Sequence, residues 1–458
     1  MTGFHTLKNY YFCFLFYILE ITMDTTRVDS ITSSYAHQDV KVWRKSDTVW
    51  MLGLYGTAIG AGVLFLPINA GMSGLLPVIL MTLLAFPMAF FSHRGLTRFV
   101  LSGSKPNGDI TEVVEEHFGR SAGNWITLLY FFAIYPILLV YGVSITNNVE
   151  NFIVELLGFN APPRWLLALI LVGSIMAIVS LGEKYIVKIM SMLVFPFIAV
   201  LVIFSLYMIP HWHGAALETL SLSNINMDSA ENNQSMLVTI WLTIPVMVFA
   251  FNHSPIISAF AVANRKEYGS HADQKSSRIL ASAHILMVLT VMFFVFSCVF
   301  TLSPADLVKA KAANISILDY LSGYFDKPFI KYAASLIAFV AIIKSFLGHY
   351  LGAREGFNGL VERAYRAKGK TINIQKLNKA TAIFMLVTTW LVATLNPSIL
   401  SIIESLGGPV IAILLFMMPM YAISKIPAMR KYSGHISNIF VVIVGIIAIS
   451  AAVYKLFL

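Results

Sequence analysis

Charge is scarce in this chain. Asp, Glu, Lys and Arg make up 12% of its 458 residues, about half the share of an ordinary soluble domain. That shortage excludes a soluble globular protein. Cysteine is nearly absent. Cys13 and Cys298 are the only two, without the spacing of a metal or redox site, and no disulfide between them is expected. HExxH, GxxxxGK[ST] and GxSxG are all missing, which removes the metalloprotease, nucleotide-loop and serine-hydrolase readings. ATP-driven transport by this chain goes with the nucleotide loop. The linear sequence also shows no cluster of carboxylates or metal ligands such as an intramembrane enzyme needs, no low-complexity tract and no short-period repeat.

What is there is apolar. The hydrophobic share is 57% and the mean hydropathy is +0.75, so the chain reads as an all-α polytopic membrane protein. Runs of spanning length lie near 48–71, 75–93, 124–148, 164–181, 186–209, 236–263, 279–302, 330–352, 379–395, 399–423 and 436–457, which predicts eleven transmembrane helices. The net charge of +9 is a topology signal rather than a nucleic-acid one. On the side of the N-terminal tail lie 24 lysines and arginines. The other side holds Arg164, Lys309, Lys311, Lys327, Lys331 and Lys455. The positive-inside rule then sets the N-terminus in the cytoplasm and the C-terminus outside.

The first residues stand apart. NYYFCFLFYIL (9–19) is too short to span a bilayer and lacks a small-residue cleavage site. Residues 1–22 read as an upstream extension with translation starting at Met23; an interfacial segment is the alternative. Residues 23–46 are then a cytoplasmic tail and 47–458 a single transmembrane domain. Between spans 2 and 3, DITEVVEEHFG (109–119) opens on an Asp cap and predicts a short amphipathic helix on a solvated surface.

Two spans are built to break. LYGTAIGAGVLFLPINAG (54–71) carries Gly56, Gly60 and Gly62 ahead of Pro67. PVMVFAFNHSPIISAFAVA (245–263) sets Asn252, His253 and Ser254 before Pro255. In lipid an unsatisfied backbone group costs several kcal/mol, so such breaks survive only buried in protein or lining a cavity. For either span alone, close helix packing explains the residues as well. Together they sit at corresponding positions, first and sixth, of a five-plus-five inverted repeat followed by an eleventh helix. That pairing points to the binding site of a secondary transporter. Half-helix N-termini suit a carboxylate and freed carbonyls suit an ammonium, a match for a zwitterionic amino acid. Backbone amides from Ala58 through Gly60, Ala61 and Gly62 are expected to hold the carboxylate. Thr57 and the carbonyls of Phe251 and Asn252 are expected to hold the ammonium, with Asn252, His253 or Ser254 reading the side chain. His253 has two open roles, titration near neutral pH or hydrogen bonding across helices. Tyr135, Tyr141, Thr146 and Asn147 on the third span are further polar candidates, and His284 reads as an interhelical donor.

Lys344 is the one Lys or Arg placed deep in a span. It is either a cavity-facing ammonium that stands in for a coupling cation or a lysine snorkelling to an interface. The first reading makes Lys344, with Ser345 beside it, the coupling group. A membrane receptor on the same scaffold would need an output domain, and no connection is long enough for one.

WRKSDTVWMLGLYGTAIGAGVLFLPINAG (43–71), GDITEVVEEHFG (108–119), FNHSPIIS (251–258), KSFLGHYLGAREGFNG (344–359) and LNPSIL (395–400) resemble the hydroxy/aromatic amino acid permeases of the amino acid/polyamine/organocation superfamily, most closely the bacterial serine-carrying members. The resemblance runs from about Met23 to the C-terminus. It implies a LeuT-like fold in the bacterial inner membrane, with the C-terminus in the periplasm. It implies uptake of L-serine by proton symport, with the proton as coupling ion and no cofactor. Threonine or an aromatic amino acid is the alternative substrate, and membrane lipid is the only other partner implied.

Overall fold

The computed structural model describes residues 42–72, 74–213, 236–325, 327–403 and 408–455. The 9–19 run, Cys13, the proposed start at Met23 and most of the 210–235 connection lie outside the described residues. Of two units, Met1–Val42 and Trp43–Leu458, the second holds every described helix, and the described residues contain no strand.

The helices are α1 Lys45–Ala58, α2 Ala61–Gly71, α3 Leu75–Leu101, α4 Ile110–Asn151, α5 Arg164–Ser180, α6 Glu183–Met208, α7 Met236–Ala250, α8 Ser254–Tyr268, α9 Ala272–Thr301, α10 Pro304–Ala312, α11 Ile317–Tyr324, α12 Pro328–Ala367, α13 Ile374–Leu395, α14 Ile399–Ile402, α15 Gly408–Ala412, α16 Met418–Lys425 and α17 Ile436–Lys455. Six helical stretches among the described residues are long and apolar enough to cross a membrane, and the bent pair Lys45–Ala58 and Gly62–Gly71, which meet at 52°, makes a seventh if it is taken as one span. The runs near 164–181, 399–423 and 436–457 fall on shorter apolar helices. The 236–263 run is divided between α7 and α8.

The two halves of the broken first span occupy the interior. α1 packs against α6, α8, α9 and α12, and α2 against α7, α9 and α10. Small residues permit such close packing where the apolar effect between helices is weak. A Cβ on Gly352 of α12 would lie 2.7 Å from the Cβ of Pro255 on α8, so α12 and the second half of span 6 touch backbone to ring.

The 109–119 segment departs from its expectation. Asp109 does cap a helix, accepting from the Glu112 amide at 2.9 Å, and Gly119 ends this part with a φ of 79°. Yet the helix is docked rather than solvated. Ile110, Val113 and Val114 are buried. The Ile110 amide donates to Ser258 Oγ at 2.9 Å, Arg363 donates to the Thr111 carbonyl, and Arg363 pairs with Glu115 at 3.2 Å. The segment links α8 to α12: Ser258 accepts its first amide, while its Thr111 carbonyl and Glu115 carboxylate take the buried Arg363 guanidinium.

Candidate substrate and coupling site

α1 ends at Ala58 and α2 begins at Ala61, so the carbonyls closing α1 have no onward helical partner. α12 supplies one. Lys344 Nζ donates to the carbonyls of Ile59 at 2.5 Å and Gly56 at 3.1 Å. Ser345 Oγ reaches the same two oxygens, at 2.6 Å and 3.3 Å. Lys344 is 0% exposed, and its ammonium sits 4.4 Å from the Phe197 ring centroid. A cation at the negative pole of α1 and over an aromatic face is in a favourable field on both sides. The snorkelling alternative does not hold, because the side chain turns inward onto the break.

On the other side of the break, α2 presents the backbone amides of its first turn. Gly60 is its N-cap, and no side chain caps it. Gly60 is required by proximity: a Cβ there would lie 2.5 Å from Ser345 Cβ and 2.7 Å from the Tyr141 hydroxyl. A Cβ on Gly62 would lie 2.8 Å from the Ala250 Cα at the end of α7. The breaks of spans 1 and 6 therefore meet, with glycine as the spacer.

The span 6 break runs from Phe251 to His253. The Phe251 amide bonds to the Met247 carbonyl at 3.2 Å and the Asn252 amide to the Phe249 carbonyl at 3.1 Å, after which the helical ladder stops. Asn252 Oδ1 accepts from the Ser254 amide at 3.1 Å, starting α8. Its Nδ2 has no hydrogen-bond partner among the described residues. Asn252, His253 and Ser254 are all buried.

Other residues fall where helical phase alone did not decide. Tyr141 faces the span 1 break, and its ring packs edge-on against His349 at 5.1 Å. Tyr135 instead stacks on Phe131 and Phe384. Thr146 bonds within its own helix to Gly142, and Asn147 reaches Asn314 and Arg164. The Thr57 hydroxyl donates to Gly53 at 2.9 Å within α1, and the side chain packs on Gly348. His284 is not the interhelical donor expected: its Nδ1 pairs with Leu280 at 2.6 Å inside α9. The fold also brings together three histidines that the linear sequence does not group, His93, His253 and His284. Their only advance signal was that an imidazole in an apolar span is rare.

Two polar networks tie helix ends together. On the side of the N-terminal tail, buried Asp47 pairs with buried Lys275 at 2.6 Å and accepts from the Tyr268 hydroxyl at 2.6 Å, while Arg44 pairs with Glu267 at 3.1 Å. At the opposite end, Arg164 bonds Glu150 and Asn147, both at 2.5 Å, and Asn314 binds Asn396 and Pro397 of the LNPSIL stretch at 3.1 and 3.0 Å. There Asn148 of α4 donates to Asp319 of α11. Burial pushes the Asp319 carboxyl up to about 6, against the lowering effect of its bonds from Ser316 and Asn148.

The sequence profile of the tryptophan/tyrosine permease family matches residues 48–453. The chain is 66% identical to the serine transporter SdaC of Escherichia coli K12 over 435 residues, covering 95% of this chain and all of that protein. SdaC of Shigella flexneri matches to the same degree. Among solved structures, a manganese transporter of Eremococcus coleocola superposes with a TM-score of 0.62 at 12% identity, covering 93% of this chain and 88% of that one. MhsT in complex with L-phenylalanine superposes with a TM-score of 0.57 at 17% identity, covering 89% of this chain and 97% of that one. The chain belongs to the tryptophan/tyrosine permease family. It is a multi-pass membrane transport protein and not an enzyme.

Proposed function

We propose that this permease imports L-serine with protons across the bacterial inner membrane, by alternating access around the junction of its two broken spans. The observation that carries the reading is the contact of Gly62 with Ala250, which sets the uncapped start of α2 against the span 6 break. In this reading the chain crosses eleven times. Ten crossings form a five-plus-five inverted repeat in which α1–α2 and α7–α8 correspond, with the N-terminus cytoplasmic and the C-terminus periplasmic.

The substrate carboxylate lies on the amides from Ala58 to Gly62, where a helix N-terminus favours an anion. The ammonium lies at the Phe251 and Asn252 carbonyls, near Thr57. Asn252 Nδ2, lacking a partner among the described residues, is the group best supported to read the hydroxyl, with His253 and Ser254 beside it. Lys344 and Ser345 couple transport to the proton. While charged, the ammonium holds α12 to the end of α1. Loss of the proton weakens two charge-assisted bonds and frees α1 to tilt.

Serine as the substrate rests on the relatives named serine transporters at 66% identity. The family's own description, tryptophan/tyrosine permease, favours an aromatic amino acid as the second reading, with threonine as a closer variant of the first. The test is uptake of labelled L-serine into sodium-free proteoliposomes under an inward proton gradient. Accumulation above equilibrium that a protonophore abolishes supports the proposal, with tryptophan and threonine as competitors. A folded, inserted protein that accumulates no serine refutes it.

A further inference from the structure

His93 of α3, His253 of the span 6 break and His284 of α9 form a set that the proposed transport cycle has not used for ion binding. All three are fully buried. The rings of His93 and His253 stack face to face, 3.6 Å apart and 8° from parallel. The His284 ring lies 4.8 Å from His253 and 5.5 Å from His93. Each Nδ1 pairs with a backbone carbonyl: Ala89 at 2.8 Å, Phe251 at 3.1 Å and Leu280 at 2.6 Å. A carbonyl only accepts, so the network assigns the hydrogen to Nδ1 in all three rings and leaves every Nε2 a lone pair. The His93 lone pair takes the His253 backbone N–H at 3.1 Å. Those on His253 and His284 have no donor among the described residues. Two buried acceptors without a donor cost free energy, and one added proton relieves both: it turns one Nε2 into a donor for the other.

We propose that His253 and His284 share a single proton between their Nε2 atoms, with neutral His93 stacked on the His253 face, as a proton-binding site distinct from Lys344. A ring nitrogen of each histidine lies within 4.8 Å of the others, and the shared proton draws the two Nε2 atoms to a bond of about 3 Å. The geometry selects a proton over a metal ion. A metal lies in the plane of every imidazole that ligates it, and the two stacked rings have parallel planes with no common point. A second proton would set two imidazolium rings side by side in an apolar interior. The site is linked to the break because His253 is the residue before α8. An imidazolium there opposes the positive pole of the helix, so occupancy biases the geometry of the span 6 junction.

The titratable groups at ring-contact distance from each ring are the other two histidines. On α3, Arg94 is directed onto Phe90 and Phe91. On α9, Lys275 is held by Asp47 of α1. Tyr55 of α1 is hydrogen-bonded to Thr290. α2 and α7 carry no ionisable side chain.

The inference deepens the proton-coupled reading, but its test does not depend on serine. Full-length protein labelled with 15N-histidine is reconstituted in lipid and followed by solid-state NMR from pH 5 to 8. Expected is uptake of one proton per chain at His253 and His284 together. His284→Gln should displace the His253 titration, and His253→Gln that of His284, while His93→Gln leaves a proton bound. The wild-type titration stands even where a variant does not fold. His253 and His284 neutral across the range, as when a bridging water satisfies both, would overturn the proposal. So would a His253 titration unmoved by His284→Gln, or zinc chloride shifting all three rings together as ligands. If the histidines titrate but uptake ignores the proton gradient, the transport reading fails and the site stands. If uptake is proton-driven while the histidines stay neutral, the site fails and the transport reading stands.

Discussion

Replacing Lys344 by Met is the sharpest perturbation of the coupling reading. The substitution keeps most of the side-chain volume and removes the ammonium that holds the Gly56 and Ile59 carbonyls. Hydrogen bonds to charged groups contribute about 1.5–3 kcal/mol each, a gross loss of roughly 3–6 kcal/mol for two. Against this, a buried charge carries a desolvation penalty of several kcal/mol, which the variant escapes. Ser345 also continues to donate to Ile59 at 2.6 Å. The terms nearly offset, so unfolding should shift by no more than about 2 kcal/mol. Coupling has no such compensation. Substrate exchange between two vesicle faces should persist, while accumulation driven by a proton gradient should fall to equilibrium. The assay compares counterflow with gradient-driven uptake in the same proteoliposomes, and Lys344→Ala serves as the cavity-forming control. Full gradient-driven accumulation by Lys344→Met would refute the role given to the ammonium.

Three other outcomes are expected. Gly60→Ala drives a methyl into Ser345 and Tyr141; overpacking should cost about 1–3 kcal/mol of stability, and adding Ser345→Gly should restore part of it, as unfolding midpoints will tell. Asp47→Ala removes the carboxylate that pairs with buried Lys275 and should cost about 3–5 kcal/mol by thermal unfolding, most of it recovered when Lys275→Met is added; a single-variant loss below about 1 kcal/mol would contradict the pairing. For Asp319, the folded carboxyl at about 6 lies above its ordinary value of 3.8, so the folded state binds the proton more tightly. Stability from this group is then greatest below the ordinary value and declines as pH rises toward 6, by about 3 kcal/mol in all. Unfolding midpoints from pH 4 to 7 should show that slope in the native chain, and Asp319→Asn should remove it; equal slopes would exclude the assignment.

Much of the fold was legible because its signals are local. A run of apolar residues needs no partner to announce a helix in lipid. The breaks at 56–62 and 251–255 were readable for the same reason, since Gly and Pro act on their own backbone. Lys344 was conspicuous because a cation in an apolar run is costly wherever the run is placed. The 109–119 helix shows the limit. Its Asp cap was readable, but Arg363, the residue that docks it, lies over 240 positions away.

By itself, the sequence determined that the chain is a helical membrane protein, which spans are interrupted, and which rare polar side chains are carried into the interior. Only the tertiary structure decided what those side chains meet. It turned Lys344 onto the end of α1, spent the Thr57 hydroxyl on Gly53, directed Tyr141 rather than Tyr135 to the break, and stacked His253 on His93 beside His284. The division follows from range. Hydropathy, capping and helix breaking are properties of a few consecutive residues, whereas a site made by α1, α4, α8 and α12 depends on packing between segments that no local pattern relates.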